Sequence, residues 1–335
     1  MAPRPVRALL AISALLAIGL AIGVGIAWVR LDTPGPLAAA AAVVIPKGAG
    51  GEGIARRLHD AGVIADPRLF RLAARIMGRE RPLRAGEYEF PARASAFGAI
   101  RLMQSGQTVV RRVTLPEGLT VKQATALLAE AAGLEGPLAR VPAEGRLLPE
   151  TYHYTWGDSR QGLMDRMEAA LRETLARAWA GRSGAVLLKT PDEALVLASI
   201  VEKETGVAAE RPRIAAVFQN RLRAGMKLQS DPTVIYGLSR GEGNFARALS
   251  RADLEHDSPF NTYARSGLPP TPIANPGRAA IEAVLNPAAT DELYFVADGT
   301  GGHAFAKTLD EHNRNVARWR KIRNERESGP NSPPR

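Results

Sequence analysis

The residues in this chain best suited to proton transfer are Glu202 and Glu204, at the end of the run Thr190 to Asn220 (TPDEALVLASIVEKETGVAAERPRIAAVFQN). Thr190 caps a helix, Pro191 suits its first position, and Glu193 stands where a capping box needs its acid. Ala194 to Val201 are apolar except for Ser199, so the helix is buried around most of its circumference. Gly206 is expected to stop it in a left-handed turn, which puts Glu202 in the last turn. A carboxylate there meets the negative end of the helix dipole and partial desolvation. Both raise its pKa and fit it for general-acid work near neutral pH. A solvated surface glutamate is the plainer account of either residue. The two lie about 200° apart around the helix, so only one can face a given cleft, and helix physics leaves the choice open.

Other segments carry polar groups in unusual settings. Residues 258–277 (SPFNTYARSGLPPTPIANPG) hold five prolines, and a long stiff loop of this kind presents polar groups at low entropic cost. Asn261, Thr262 and Tyr263 are its candidates for substrate contact. Asp231-Pro232 reads as a helix cap and first position, which accounts for Asp231 without catalysis. Residues 145–156 (GRLLPETYHYTW) set aromatics beside Glu150, a pattern that suits sugar stacking and equally the edge of a half-buried hairpin. The chain has no cysteine, and its five histidines show no metal-ligand spacing, so neither a metal nor another cofactor is expected.

These groups need elements to hold them. The 335 residues leave room for an anchor and two modest domains, and 45% apolar content is enough for a core. A net charge of +10 raises the question of an anionic partner, but the basic residues are dispersed without interleaved aromatics, which argues against nucleic acid. Residues 8–29 form an uncharged apolar run long enough to cross a bilayer, and Arg4 and Arg7 before it predict a cytoplasmic N-terminus. The run exceeds an ordinary signal-peptide core, so a retained anchor is expected over a segment cleaved near Ala38 to Ala42.

Beyond a linker, Val43 to Gly48 reads as strand and turn, followed by a helix to Asp60. The plan recurs at Val113 to Gly118 with a helix from Thr120 to Ala132, Leu128 matching Leu58. Between the copies, helices over 67–77 and 96–105 flank a strand at 86–90. Later come helices over 161–182 and 211–223, a helix capped by Asn275-Pro276 and running to Leu285, and strands at 293–297 and 303–306. A last helix, with Thr308 and Glu311 as its capping box, reaches about Arg323. The organisation read from this is a cytoplasmic segment 1–7, a transmembrane helix 8–29, a linker 30–42, a small module 43–110, a larger domain 111–325 and a disordered tail 326–335. The fold class is α+β.

At IVEKETGVAAER, LQSDPTVIYG, FNTY, GLPPTPIANPG, LYFVADGTGGHAF and HNRNV the sequence resembles the endolytic murein transglycosylase (MltG, YceG-like) family, across essentially the whole chain. The resemblance implies an inner-membrane protein with one N-terminal crossing, a LysM-like module and a periplasmic catalytic domain. It implies cleavage of nascent peptidoglycan between N-acetylmuramic acid and N-acetylglucosamine, limiting strand length, with glycan strands and cell-wall synthases as partners. It assigns catalysis to Glu202, the first glutamate of the signature, and suggests Gln229, Asp231, Asn261, Tyr263 and Glu150 as substrate-binding groups. Glu150 stands where many members carry Asp. A single carboxylate suits a lytic transglycosylase, since the substrate's own C6 hydroxyl replaces the second side chain that a hydrolase needs. Two alternatives stay in view: a muramidase using Asp231 or Glu204 as second carboxylate, and a glycan-binding scaffold for synthases.

Overall fold

A computed structural model describes residues 4–243 and 245–327. The chain forms two compact units, one from residues up to 111 with 132–135 and 153–158, the other from 112–131, 136–152 and 159 onward.

The first unit begins with α1 (Arg4–Asp32), whose segment Leu9–Asp32 is long and apolar enough to cross a membrane; residues 9–26 are exposed, while Leu31 is buried in the core of the unit. The helix extends past both ends of the apolar run at 8–29. Strand β1 (Ala41–Ile45) follows, then α2 (Gly51–Asp60), α3 (Pro67–Met77), β2 (Gly86–Phe90) and α4 (Ala96–Ser105). β1 and β2 pair antiparallel, with Ala41 opposite Phe90 and Ile45 opposite Gly86. Asp66 caps α3 by accepting from the amides of Arg68 and Leu69. The core gathers Ile45, Leu58, Phe70, Tyr88, Phe90, Ile100 and Met103, all at most 1% exposed.

The repeated strand–turn–helix plan is present in the backbone. β3 (Val110–Thr114) leads through Gly118 into α5 (Val121–Glu130), as β1 leads through Gly48 into α2. Both glycines adopt positive φ, 78° at Gly48 and 77° at Gly118, where a side chain would be strained. Leu58 and Leu128 occupy the same place and are both fully buried. α5 has a complete capping box between Thr120 and Gln123.

The second unit is organised by α7 (Pro191–Glu204), whose residues from Ala194 to Val201 are all buried. It packs against α8 (Arg211–Arg223), α11 (Arg278–Leu285) and α6 (Arg160–Ala180). Leu148, Leu195, Ile200, Ile214, Phe218, Ile281 and Val284 fill the space between them. β4 (Thr151–Thr155) pairs with β3 in a two-stranded sheet, and because α5 lies between the two strands in the chain, residues 151–155 are not the edge of a hairpin as the sequence allowed. The short helices α9 (Asp231–Ser239) and α10 (Arg251–Glu255) precede the proline-rich loop. β5 (Tyr294–Ala297) and β6 (His303–Ala306) form an antiparallel hairpin, and α12 (Leu309–Glu327) follows behind the Thr308–Glu311 capping box.

Four expected details differ. α7 ends at Thr205 in extended backbone, and Gly206 is not left-handed. The N-cap of α11 is Gly277, because Asn275 is buried and spends its side chain on Leu119 O and the amide of Leu147. α9 starts at Asp231 with Ser230 in the cap position, and neither side chain caps it. α12 runs to Glu327, into the segment expected to be a disordered tail, with Arg326 bonded to Gly299 O; the rest of that tail lies outside the described residues.

Candidate active site

The end of α7 sends its two glutamates into different surroundings. Glu202 accepts from the Gly277 amide at 2.8 Å and from Arg211 Nη2 at 3.2 Å, and its side chain is only 5% exposed. Arg211 also reaches Glu117 at 3.3 Å. Burial, and secondarily Glu117, raise the Glu202 pKa, against the lowering pull of Gly277 N–H and Arg211. With an amide and a guanidinium on its two oxygens, Glu202 fastens the end of the proline-rich loop to α7.

Glu204 faces the opposite way, into a cavity of about 470 Å3 that it lines with Arg221, Gln229, Asp231, Tyr263, Phe295 and His312, among others. Glu202 does not line this cavity. Burial pushes the Glu204 pKa up to about 7, Asp231 adds to the rise, and Ser230, His303 and Arg221 oppose it. Ser230 Oγ donates to Glu204 Oε1. That hydroxyl is available because it does not cap α9.

The segment before α9 is fixed by the proline-rich loop. Gln229 N donates to Thr262 O at 3.1 Å, and Ser230 N donates to Thr262 Oγ1 at 2.9 Å. Gln229 takes a left-handed backbone, φ 54°, which is uncommon for a residue with a side chain. Its Oε1 accepts from Arg221 Nη1 at 3.3 Å. Arg221 also donates to the carbonyls of Leu293 and Leu228, so its guanidinium ties β5 to the segment holding Gln229. Asp231 accepts from Tyr263 Oη at 2.6 Å, a contact that replaces the capping role read from the sequence.

Of the predicted substrate groups, Gln229, Asp231 and Tyr263 therefore meet at one cavity, around Glu204. Asn261 does not join them. It is 1% exposed, gives its Nδ2 to Leu254 O and His256 O, and accepts from the amides of Tyr263 and Ala264. It shapes the loop that carries Tyr263. Glu150 pairs with Arg278 at 2.5 Å and is not part of the cavity wall. Among the described residues no cluster of three or more His, Asp or Glu is arranged to hold a metal.

Sequence reasoning passed over Arg221, Ser230 and His312. His312 stacks on Tyr294 with ring centroids 5.1 Å apart, and its buried Nδ1 has no partner among the described residues. Burial and Arg221 lower its pKa, which favours the neutral ring. The signal for Arg221 was an arginine inside the apolar face of α8, where only a fully bonded guanidinium is tolerated.

As chemistry, the cavity joins a carboxyl group poised near neutrality to a hydrogen-bonded aspartate, an amide and a phenol. That set can protonate a leaving oxygen and steady positive charge beside it.

The profile of the YceG-like family matches residues 43–318. An endolytic murein transglycosylase of Bacillus subtilis (strain 168) is 40% identical over 186 residues, covering 55% of this chain and 50% of that protein. One of Streptococcus pneumoniae serotype 2 is 31% identical over 319 residues, covering 82% of this chain and 57% of that protein. The chain thus spans between half and three-fifths of these relatives. A crystal structure of a yceG-like protein from Listeria monocytogenes aligns with TM-score 0.52 at 31% identity, over 82% of this chain and 98% of that one.

Proposed function

This chain belongs to the YceG-like family, and we propose that it is a membrane-anchored endolytic murein transglycosylase with Glu204 as its acid and base. The observation that carries the reading is the meeting of Glu204, its pKa pushed up to about 7, with Gln229, Asp231 and Tyr263 at one cavity. The murein substrate is the one named for the Bacillus and Streptococcus relatives. The family resemblance assigns this role instead to Glu202, whose carboxylate is held by Arg211 and the Gly277 amide.

Protonated Glu204 gives its proton to the glycosidic oxygen leaving N-acetylmuramic acid, and the bond from C1 to that oxygen breaks. The glutamate, now a carboxylate steadied by the Ser230 hydroxyl, takes the proton of the muramyl C6 hydroxyl as O6 bonds to C1. The product is a 1,6-anhydromuramic end, formed without water. Asp231, oriented by Tyr263, faces the positive charge that develops at C1. Gln229 is held by Arg221 to meet the sugar's polar groups.

The apolar helix at Leu9–Asp32 supports a single crossing, with the arginines before it setting a cytoplasmic N-terminus and the cavity on the periplasmic side. The first unit, with its β1–α2 and β2–α4 pieces, is read as a LysM-like module that spaces the catalytic unit from the membrane or holds glycan. Cell-wall synthases are its expected neighbours.

Digestion of defined uncrosslinked glycan followed by mass spectrometry tests the reading. Anhydro ends from the wild type and none from Glu204→Gln support it. Ends heavier by one water favour a muramidase using Asp231, the second carboxylate at the same cavity. Undiminished cleavage by Glu204→Gln removes Glu204 from the mechanism.

A further inference from the structure

α3 leaves part of its apolar surface uncovered. Leu72 is 56% exposed and Ile76 62%, while Phe70, Ala73 and Ala74 on the other side of the helix are buried in the core of the first unit. Leu72 and Ile76 share a groove of about 300 Å3 with Val24, Ala27 and Trp28 of α1. Trp28 in turn packs on Phe97, ring centroids 4.8 Å apart.

Helix length fixes the depth of that groove. A crossing takes about 20 residues, and α1 has 29. Counted from the start of the apolar run at residue 8, the crossing ends near residue 27, so Val24 lies just inside the acyl region and Trp28 is the aromatic expected at the interface. Groups that share a groove with Val24 and Trp28 sit at the same depth. The polar margin of α3 is one-signed: residues 67–84 hold six arginines and one glutamate. Arg68, Arg75 and Arg79 are exposed and make no ion pair among the described residues, whereas Arg71 lies 3.6 Å from Glu52. An apolar face rimmed by arginines is the composition of a helix lying in a charged lipid interface.

We infer that α3 docks on the bilayer beside α1, with Leu72 and Ile76 in the acyl boundary and the arginines on anionic phospholipid headgroups. The inference rests on α1 crossing the membrane and is independent of the activity proposed for the second unit. Its consequence is a first unit held against the bilayer at two places.

The absence of native cysteine makes the test direct. The full chain is reconstituted in phosphatidylcholine vesicles with and without phosphatidylglycerol, and Leu72→Cys, Ile76→Cys or Val110→Cys is labelled with a fluorophore sensitive to its surroundings. Val110 is 64% exposed and serves as the solvent reference. Alkaline extraction first confirms that α1 is inserted. The expected result is several-fold stronger quenching by lipid-borne nitroxide at 72 and 76 than at 110, with reduced access to iodide and a greater effect with phosphatidylglycerol. Iodide access at 72 and 76 equal to that at 110 overturns the inference. So does protection from iodide without lipid quenching, because a protein surface or a second copy then covers the face. Quenching indifferent to phosphatidylglycerol overturns the role given to the arginines.

Discussion

Tyr263 and Asp231 are joined by a 2.6 Å hydrogen bond between the proline-rich loop and the first residue of α9, and it orients the carboxylate that sits nearest in sequence to Ser230, the partner of Glu204. Burial and Asp231 both raise the pKa of the phenol, so it remains a donor throughout the working range. Tyr263→Phe removes the donor while keeping the ring. A hydrogen bond to a charged group contributes about 1.5–3 kcal/mol, so cleavage is expected to fall by roughly ten- to a hundredfold. Steady-state rates on a defined glycan measure this, and a wild-type rate would dismiss the pair from the reaction.

Exchanging each glutamate separately distinguishes their roles. Glu204→Gln should lower the rate by about 10²–10⁴-fold, the usual contribution of a general acid, and leave the fold intact. Glu202→Gln takes the negative partner from Arg211, which keeps Glu117 at 3.3 Å, so a stability loss of about 1–3 kcal/mol is expected with much of the activity retained. Thermal melts and rates on both variants would show the two effects separating. If Glu202→Gln were inactive yet fully stable, the assignment would reverse.

Acidity supplies a third test. In the proposed reaction Glu204 acts first as an acid, so the rate should decline as pH rises through about 7, the value to which burial pushes its pKa. Stability follows with a definite sign. The folded state holds a proton that the unfolded chain releases above the ordinary 4.5, so stability falls between about 4.5 and 7 and is level beyond. The difference amounts to at most about 3 kcal/mol, and Glu204→Gln should be free of it. Denaturant melts of the two proteins at pH 4 and pH 8 compare the slopes directly; parallel curves would contradict the raised pKa.

Asn261 offers a contrast, a loop residue whose job is to satisfy backbone groups. Asn261→Ala leaves Leu254 O, His256 O and the amides of Tyr263 and Ala264 without it. The expected cost is about 2–4 kcal/mol for buried polar groups stripped of partners, seen as a lower urea midpoint. An exposed binding residue would instead weaken substrate affinity and leave the midpoint unchanged.

Much of the fold was legible because local chemistry states it. Asp66-Pro67 marks the start of α3, alternation marks β2, and the matched glycines at 48 and 118 mark two turns of one kind. The buried character of α7 was equally plain from its unbroken apolar run. Which glutamate at its end meets a cavity was not, because both sit in the same turn and the answer depends on where residues 228–231 and 277 pack. The same holds for Asp231. In sequence it is an ideal cap, yet Ser230 takes that position, and the aspartate is drawn instead to Tyr263, 32 residues away. Asn261 and Asn275 look alike as polar loop residues, and only their burial shows them to be internal fasteners.

The left-handed backbone at Gln229 carries a torsional penalty of about 1–2 kcal/mol that glycine would avoid. Thr262 counters it from both sides, through its carbonyl to residue 229 and its hydroxyl to residue 230. Two segments that line the cavity thus share a single hinge pin. Loosening that threonine would release the glutamine and withdraw the serine hydroxyl from Glu204 in one motion, so the tuning of the acid answers to a side chain outside the cavity wall.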